Sequence, residues 1–381
     1  MQTIAAVVRE KGAPFTFETL DLADPVKDEV RVRIVASGIC HTDLIIRDQF
    51  YPTPLPAVLG HEGAGIVEAV GPDVTRIKPG DHVLMSFAAC GTCPSCIDGQ
   101  AAYCWHHMEM NFSGHRYSGK GWDIPSPISK QVRSSSGEVR TEEISGAFFH
   151  QSSFATLAIA TEKNAVVVDR DLPLTTLAPL GCGLQTGAGA VLNTLRPKPG
   201  ASIAVTGTGT VGMAAIMAAR IAKCGTVIAI DVNAERLALA LEIGATHAIN
   251  AQEDDIVARV REIVAGGVQY SIDTTANPKV FRAAVDMLQT RGICGLIGGA
   301  KLGTEACFEM THILFGRTVR GILQGDSVPQ EFIPRLVQLY RDGLFPIDRL
   351  IRHYPFAKVN QAVDDMKTGK TIKPVLVMGG D

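Results

Sequence analysis

The sequence predicts an α/β protein in which a mainly β domain is followed by a doubly wound parallel sheet. Three observations carry that expectation. The first 90 residues follow the two-residue period of strands, and the segment after Gly181 alternates short buried strands with helices. In addition, 381 residues are too many for one comfortable core. Glycine is abundant at 38 residues, which suits many tight strand-to-helix turns.

Taken in order, residues 1–10 read as a first strand, because the apolar run is too short and too soon charged for a leader. Residues 30–35 (VRVRIV) alternate with period two, residues 65–70 end at Gly71-Pro72, and residues 81–85 follow the Pro79-Gly80 turn. Residues 108–146 are polar and rich in Ser, Gly and charge, and are expected to form a long surface excursion, either a lid-like loop or an insertion. Strands are expected at 203–205, 226–231, 248–249, 270–273 and 293–297, with helices at 211–223, 234–241 and 256–264 between them. A helix at 332–341 and a strand at 374–378 close the chain. The expected domains are therefore 1–183, 184–326 and a return to the first over 327–381.

Composition excludes several classes. Apolar residues are 46% and charged residues 20%, with a formal net charge of −3, so there is no electrostatic footprint for nucleic acid or anionic lipid. No stretch approaches the ~18 apolar residues of a membrane span. A cytoplasmic protein is expected, and its nine cysteines are read as thiols or metal ligands before disulfides.

Two motifs are strong on their own. Gly207-Thr-Gly209-Thr-Val-Gly212 follows a strand and opens a helix. The first glycine permits the turn, the second lets backbone approach a pyrophosphate, and the third allows close helix–strand packing. Asp231 ends the next strand, where it would accept from ribose hydroxyls and repel a 2′-phosphate, favouring NAD over NADP. The second motif is Cys90, Cys93, Cys96 and Cys104, close enough in sequence to close a tetrahedron around a structural zinc. Disulfides are the alternative. A third set is dispersed. Cys40, His61 and Cys182 would give a three-ligand zinc with one open position, but spacing alone favours a small buried cysteine and a structural histidine.

Taken together, Cys40-His-Thr-Asp43, Gly60-His-Glu-Gly63, the four-cysteine lobe, the glycine fingerprint and Thr368-Gly-Lys-Thr-Ile-Lys373 resemble the zinc-containing alcohol dehydrogenases of the medium-chain dehydrogenase/reductase superfamily. The match runs over nearly the whole chain. Asn111-Phe-Ser-Gly114, Phe148-Phe149, Gln151-Ser-Ser-Phe-Ala-Thr156 and Pro179-Leu-Gly-Cys-Gly-Leu-Gln-Thr-Gly187 look most like the aryl-alcohol (benzyl alcohol) dehydrogenases.

The resemblance implies a Rossmann-type sheet plus a GroES-like catalytic domain. It implies two zincs per chain, with Cys40, His61 and Cys182 holding the catalytic one. It also implies Asp43 as the carboxylate orienting His61, Glu62 as an acid behind the metal and Thr42 as proton acceptor. His41, Thr186, Thr210, Val211, Arg236 and Lys373 are implied as cofactor contacts, and the assembly as a homodimer or homotetramer. Ile45 stands where many relatives continue the proton path with a histidine. Ser86, Phe148 and Phe149 are expected to wall the substrate pocket.

The reaction expected is reversible oxidation of a primary benzylic, cinnamylic or terpenoid alcohol to its aldehyde with hydride transfer to NAD. Two rivals remain at this stage. A glutathione-dependent formaldehyde dehydrogenase would need cations such as His115, Arg116 and Lys120 at the pocket mouth, and a non-catalytic zinc and NAD-binding redox sensor would need no open metal position.

Overall fold

The computed structural model describes residues 1–117, 124–133 and 138–379. The chain divides into two compact units, one of Met1–Cys182, Val328–Pro334 and Leu350–Asp381, the other of Gly183–Ser327 and Arg335–Arg349. The simple return expected at 327 is thus interrupted: helix Pro329–Arg341 belongs in part to each unit.

The first unit is built on two β-sheets. One runs Ala57–Val58, Gln2–Val8, Thr16–Leu22, Ile128–Arg133, Val139–Ile144. The other runs Ala165–Val168, His82–Met85, Gly63–Val70, Glu29–Gly38, Lys373–Val377, Ile351–Pro355, with Leu157–Thr161 also paired to Glu29–Gly38. The alternation read at 30–35 serves that sheet's central strand. Val30, Val32 and Ile34 are buried in the core beside Val67 and Val83, while Arg31 and Arg33 turn to Glu68.

The segment 108–146 corrects its reading as a surface excursion. Helix His107–Phe112 opens it, and a hairpin of Ile128–Arg133 with Val139–Ile144 extends the first sheet. Ile128 and Ile144 are fully buried at its base, and Arg116 is buried against Glu29 at 3.1 Å. The outer part of the hairpin is exposed on both faces, so polar residues are tolerated there and the period-two signal fades.

The second unit carries a six-stranded parallel sheet in the order His247–Asn250, Thr226–Asp231, Ser202–Thr206, Val268–Asp273, Leu288–Leu296, Thr318–Gly321. Numbered within the unit this is 3-2-1-4-5-6, with the order reversing at Ser202–Thr206. Helix Thr210–Ile221 is apolar almost all round, and its residues 213–219 are wholly buried. Side-chain caps start the outer helices: Asn233 accepts from Arg236 N–H, Asp255 from Val257 and Ala258, and Asn277 from Lys279, just ahead of Pro278.

Candidate active site

The dispersed cluster begins at the start of helix His41–Arg47, where Cys40 is the N-cap. Three residues on, Asp43 accepts from Cys40 N–H at 2.8 Å, the reach-back of a capping box. The same buried carboxylate accepts from Gly60 N–H at 3.1 Å and lies 2.9 Å from His61 Nδ1. One aspartate therefore fixes both the thiol and the imidazole. The face of the His61 ring stacks on Phe149, with centroids 4.5 Å apart and planes at 27°, and Phe148 meets it edge-on at 5.4 Å. Its Nε2 is left buried without a hydrogen-bond partner.

Cys182 and Glu62 complete the group: the ligand atoms of Cys40, His61, Glu62 and Cys182 all lie within 4.8 Å of one another. Zinc bonds of about 2.0–2.3 Å require donor edges of roughly 3.5 Å, so the set fits the ion with small adjustment. A buried imidazole nitrogen with no partner is the group such an ion would satisfy. The hydrogen bond from Cys182 and the charges of His61 and Lys373 hold the Cys40 thiol well below its ordinary range; the shared proton and burial push Cys182 up. Further positive charge would let both sulfurs ionise. Thr42 is half-buried in the first helical turn, its hydroxyl 3.7 Å from Cys40 Sγ, and His41 beside it is exposed. Ile45 is buried and apolar.

Lys373, expected as a cofactor contact, is committed elsewhere. Its ammonium donates to both oxygens of Glu62, at 3.0 and 2.9 Å, and to the Ile39 carbonyl at 3.0 Å, which uses all three of its protons. Burial alone would discharge this pair, and the mutual attraction opposes that: Lys373 is raised in spite of desolvation. Glycine at 38 makes the room, since a Cβ there would lie 2.0 Å from Glu62 Oε2.

The three residues expected to line a substrate pocket are also used differently. Phe148 and Phe149 are 1% and 2% exposed and clamp the His61 ring, and Ser86 is buried with its hydroxyl donating to the Gly181 carbonyl at 2.7 Å. Phe149, His150 and Ser152 all hold positive φ, at 51°, 49° and 43°. Such left-handed non-glycine residues cost of order 1–3 kcal/mol each and persist where surrounding bonds fix them. His107 and His150 are buried as well, and burial lowers each imidazole to about 4. Cys307 is exposed.

Cys90, Cys93, Cys96 and Cys104 form the second cluster, again within 4.8 Å of one another. All four are free thiols, and Cys90 and Cys96 stand 3.9 Å apart, far beyond a disulfide bond of about 2.0 Å. Backbone N–H groups point at the sulfurs: Thr92 and Cys93 at Cys90 Sγ (3.4 and 3.3 Å), Cys90 at Cys104 Sγ and Trp105 at Cys93 Sγ (both 3.4 Å). Against the burial that would raise it, these donors and the Thr92 hydroxyl bring the Cys90 thiol to about 6. The lobe suits an ion bound by thiolates.

In the second unit the glycine turn sits where the strand order reverses. Gly207 has φ 85°, and a Cβ on Gly212 would lie 1.8 Å from the Gly207 carbonyl, so helix and turn meet only without a side chain. A Cβ on Gly209, the N-cap of the helix, would meet nothing within 4 Å; Thr210 and Val211 follow half-buried. That open approach to a helix N-terminus is a cradle for a phosphate. Asp231 ends its strand with four accepted bonds, from Thr208 N–H (2.6 Å) and hydroxyl (2.8 Å) and from Val232 and Asn233 N–H (2.7 and 2.9 Å). A ribose hydroxyl would share this carboxylate. Arg236, one helical turn further on, keeps a buried Nε with no partner. Thr186 is buried, its hydroxyl 3.4 Å from Gln324 Oε1.

A mainly β unit with two side-chain clusters that could each hold a metal ion, and a second unit with a glycine turn at the switch point of a parallel sheet, fit the class of the zinc-binding dehydrogenases. Family models agree on both parts: "Alcohol dehydrogenase GroES-like domain" matches residues 26–124 and "Zinc-binding dehydrogenase" matches residues 210–341. A geraniol dehydrogenase of Castellaniella defragrans is 44% identical over 375 residues, 98% of this chain and 97% of that one. The crystal structure of an alcohol dehydrogenase zinc-binding domain protein from Burkholderia ambifaria superposes with a TM-score of 0.92 at 51% identity. That of benzyl alcohol dehydrogenase from Acinetobacter calcoaceticus gives 0.91 at 43%, and both cover 100% of each chain. The chain belongs to the zinc-containing alcohol dehydrogenases of the medium-chain dehydrogenase/reductase superfamily.

Proposed function

We propose that this alcohol dehydrogenase oxidises a primary benzylic, cinnamylic or allylic terpenoid alcohol reversibly to its aldehyde, with NAD as partner and two zincs per chain. The observation that carries the reading is the uncommitted His61 Nε2 among the thiols of Cys40 and Cys182, beside the Thr42 hydroxyl. The substrate class is supported by relatives named for geraniol and benzyl alcohol, whose carbinol carbons both adjoin a π-system.

Cys40, His61 and Cys182 would hold one zinc and the four-cysteine lobe the other. A bound zinc supplies positive charge that lowers the pKa of an alcohol hydroxyl, and NAD supplies the hydride acceptor. Thr42 takes the alcohol proton. Ile45 offers it no onward path, so it passes to water. Asp43, 2.9 Å from Nδ1, would keep that nitrogen protonated and leave Nε2 to bind a zinc. Gly209, Thr210 and Val211 would offer the helix N-terminus to a pyrophosphate, Asp231 would repel a 2′-phosphate, and Arg236 would add a contact to the nucleotide. Thr186 would help hold the nicotinamide.

The glutathione-dependent alternative is disfavoured by its own requirement. Arg116 is spent on Glu29 and the Pro125 carbonyl, and His115 lies 3.3 Å from Glu143. Lys120 lies outside the described residues. Self-association is supported by the edge strand Thr318–Gly321, all four of whose residues are exposed. No described helix is long and apolar enough to cross a membrane.

The test is NADH formation at 340 nm with geraniol, benzyl alcohol, cinnamyl alcohol and ethanol, each with NAD or NADP. Turnover of the first three with NAD, and little with ethanol or NADP, is expected. No turnover by a fully metallated protein would contradict the proposal.

A further inference from the structure

Gln151 is wholly buried, yet every polar atom of its amide is spent around one ligand. Its Oε1 accepts from Gly63 N–H at 3.0 Å, and its Nε2 donates to the His61 carbonyl at 3.0 Å and to the Ser86 carbonyl at 3.1 Å. Ser86 carries the link onward through its hydroxyl to the carbonyl of Gly181, the residue before Cys182. Asn164 braces the junction. Ser86 N–H donates to its carbonyl at 2.9 Å, and its Nδ2 spans the Ser86, Phe149 and His150 carbonyls at 3.0–3.2 Å. A chain of bonds thus joins the His61 carbonyl and the Gly63 N–H that follows it to the backbone that delivers Cys182.

We propose that Gln151 and Ser86 are positioning residues that set the separation of His61 and Cys182 at the metal. The inference rests on the reading that those two residues, with Cys40, bind zinc. Clearance around the link is small. A Cβ at Gly181 would lie 2.2 Å from the Met85 carbonyl, and one at Gly63 would lie 2.3 Å from Met85 Cε and 3.0 Å from Gln151 Oε1. Both ligand-bearing segments therefore press against residues 85–86 as closely as backbone allows, and the amide and hydroxyl fix where along that contact they stop. The left-handed turn at Phe149, His150 and Ser152 serves the same end. It lays the Phe149 ring on the imidazole and turns the Gln151 side chain back to the His61 carbonyl. A network that only stabilised the fold would have no reason to converge on the peptide groups flanking two metal ligands.

The experiment uses the full chain loaded with cobalt(II), comparing the parent with Gln151→Met and Ser86→Ala. The readouts are the visible cobalt bands and the rate at which each metal passes to a colorimetric chelator. Both variants are expected to keep the slow release of the four-cysteine lobe, to lose the other metal about 10–100-fold faster, and to shift the bands of that site alone. Unchanged bands and release in folded variants would overturn the proposal. If Gln151→Met does not accumulate folded, Ser86→Ala, which removes one hydroxyl, decides on the same readouts. A parent protein that takes up only the lobe's metal would overturn the zinc reading itself, and this inference with it.

Discussion

The two candidate metal-binding clusters of the first unit are built on opposite plans. Cys90, Cys93, Cys96 and Cys104 come from one short stretch of chain, and their own backbone N–H groups point at the sulfurs. Cys40, His61 and Cys182 come from a helix start, a turn ahead of a strand and a turn ahead of another helix. They are held partly by near neighbours, Asp43 and Glu62, and partly by groups far along the chain, Lys373 and the amide of Gln151. A site assembled locally is complete once its loop closes, and it offers four sulfurs of one kind. The dispersed site depends on the whole sheet. It can mix ligand types, leave one nitrogen uncommitted and place a hydroxyl beside it, which is what chemistry needs.

That contrast predicts separable losses. The largest effect is expected from His61→Ala: one metal per chain instead of two by elemental analysis, and turnover down by about 10³-fold or more, since the metal's charge is worth several kcal/mol at the reacting oxygen. Equal loss of both metals would break the distinction. Next is Cys93→Ser, which should remove the lobe's metal and cost roughly 3–5 kcal/mol in unfolding experiments, with turnover per folded molecule nearly kept. Asp43→Asn leaves every ligand in place but turns an acceptor into an amide at Nδ1. About 10–100-fold weaker retention of one metal is expected, read by competition with a chelator.

Legibility followed the same division. The lobe and the glycine turn could be read from sequence because their residues are neighbours in the chain and their spacing carries the chemistry. The dispersed triad could not be; it came from resemblance, and the structure then brought its residues within reach of one another. Gln151, Ser86 and Asn164 escaped because nothing local marks a buried amide, and Lys373 misled because a lysine in sequence gives no hint that it is buried. Phe148 and Phe149 were legible as apolar but not as the clamp on an imidazole. The hairpin 128–144 was missed because its outer half is wet on both faces and lacks the alternation that betrays a strand.

Two smaller effects sharpen the picture outside the clusters. Asp231→Ser should lower the preference for NAD over NADP about tenfold, roughly 1.4 kcal/mol, measured as the ratio of kcat/KM values. At the root of the hairpin, the Arg9 hydrogen bond, against burial and with help from Lys130, holds Glu18 at about 2 instead of 4.5. Because its folded value is depressed, its contribution is present above about pH 4.5 and lost as pH falls toward 2. Glu18→Gln should therefore cost about 0.5–1 kcal/mol at neutral pH and progressively less in acid, read from denaturant midpoints.

On the proposed reading, two different clusters hold two zincs, the dispersed one through His61 Nε2. Anomalous diffraction at the zinc edge from crystals of the metallated protein tests it directly. Two peaks per chain are predicted, one enclosed by Cys90, Cys93, Cys96 and Cys104, the other bounded by Cys40, His61 Nε2 and Cys182. A single peak in the four-cysteine lobe, with His61 Nε2 facing no metal, would contradict the account.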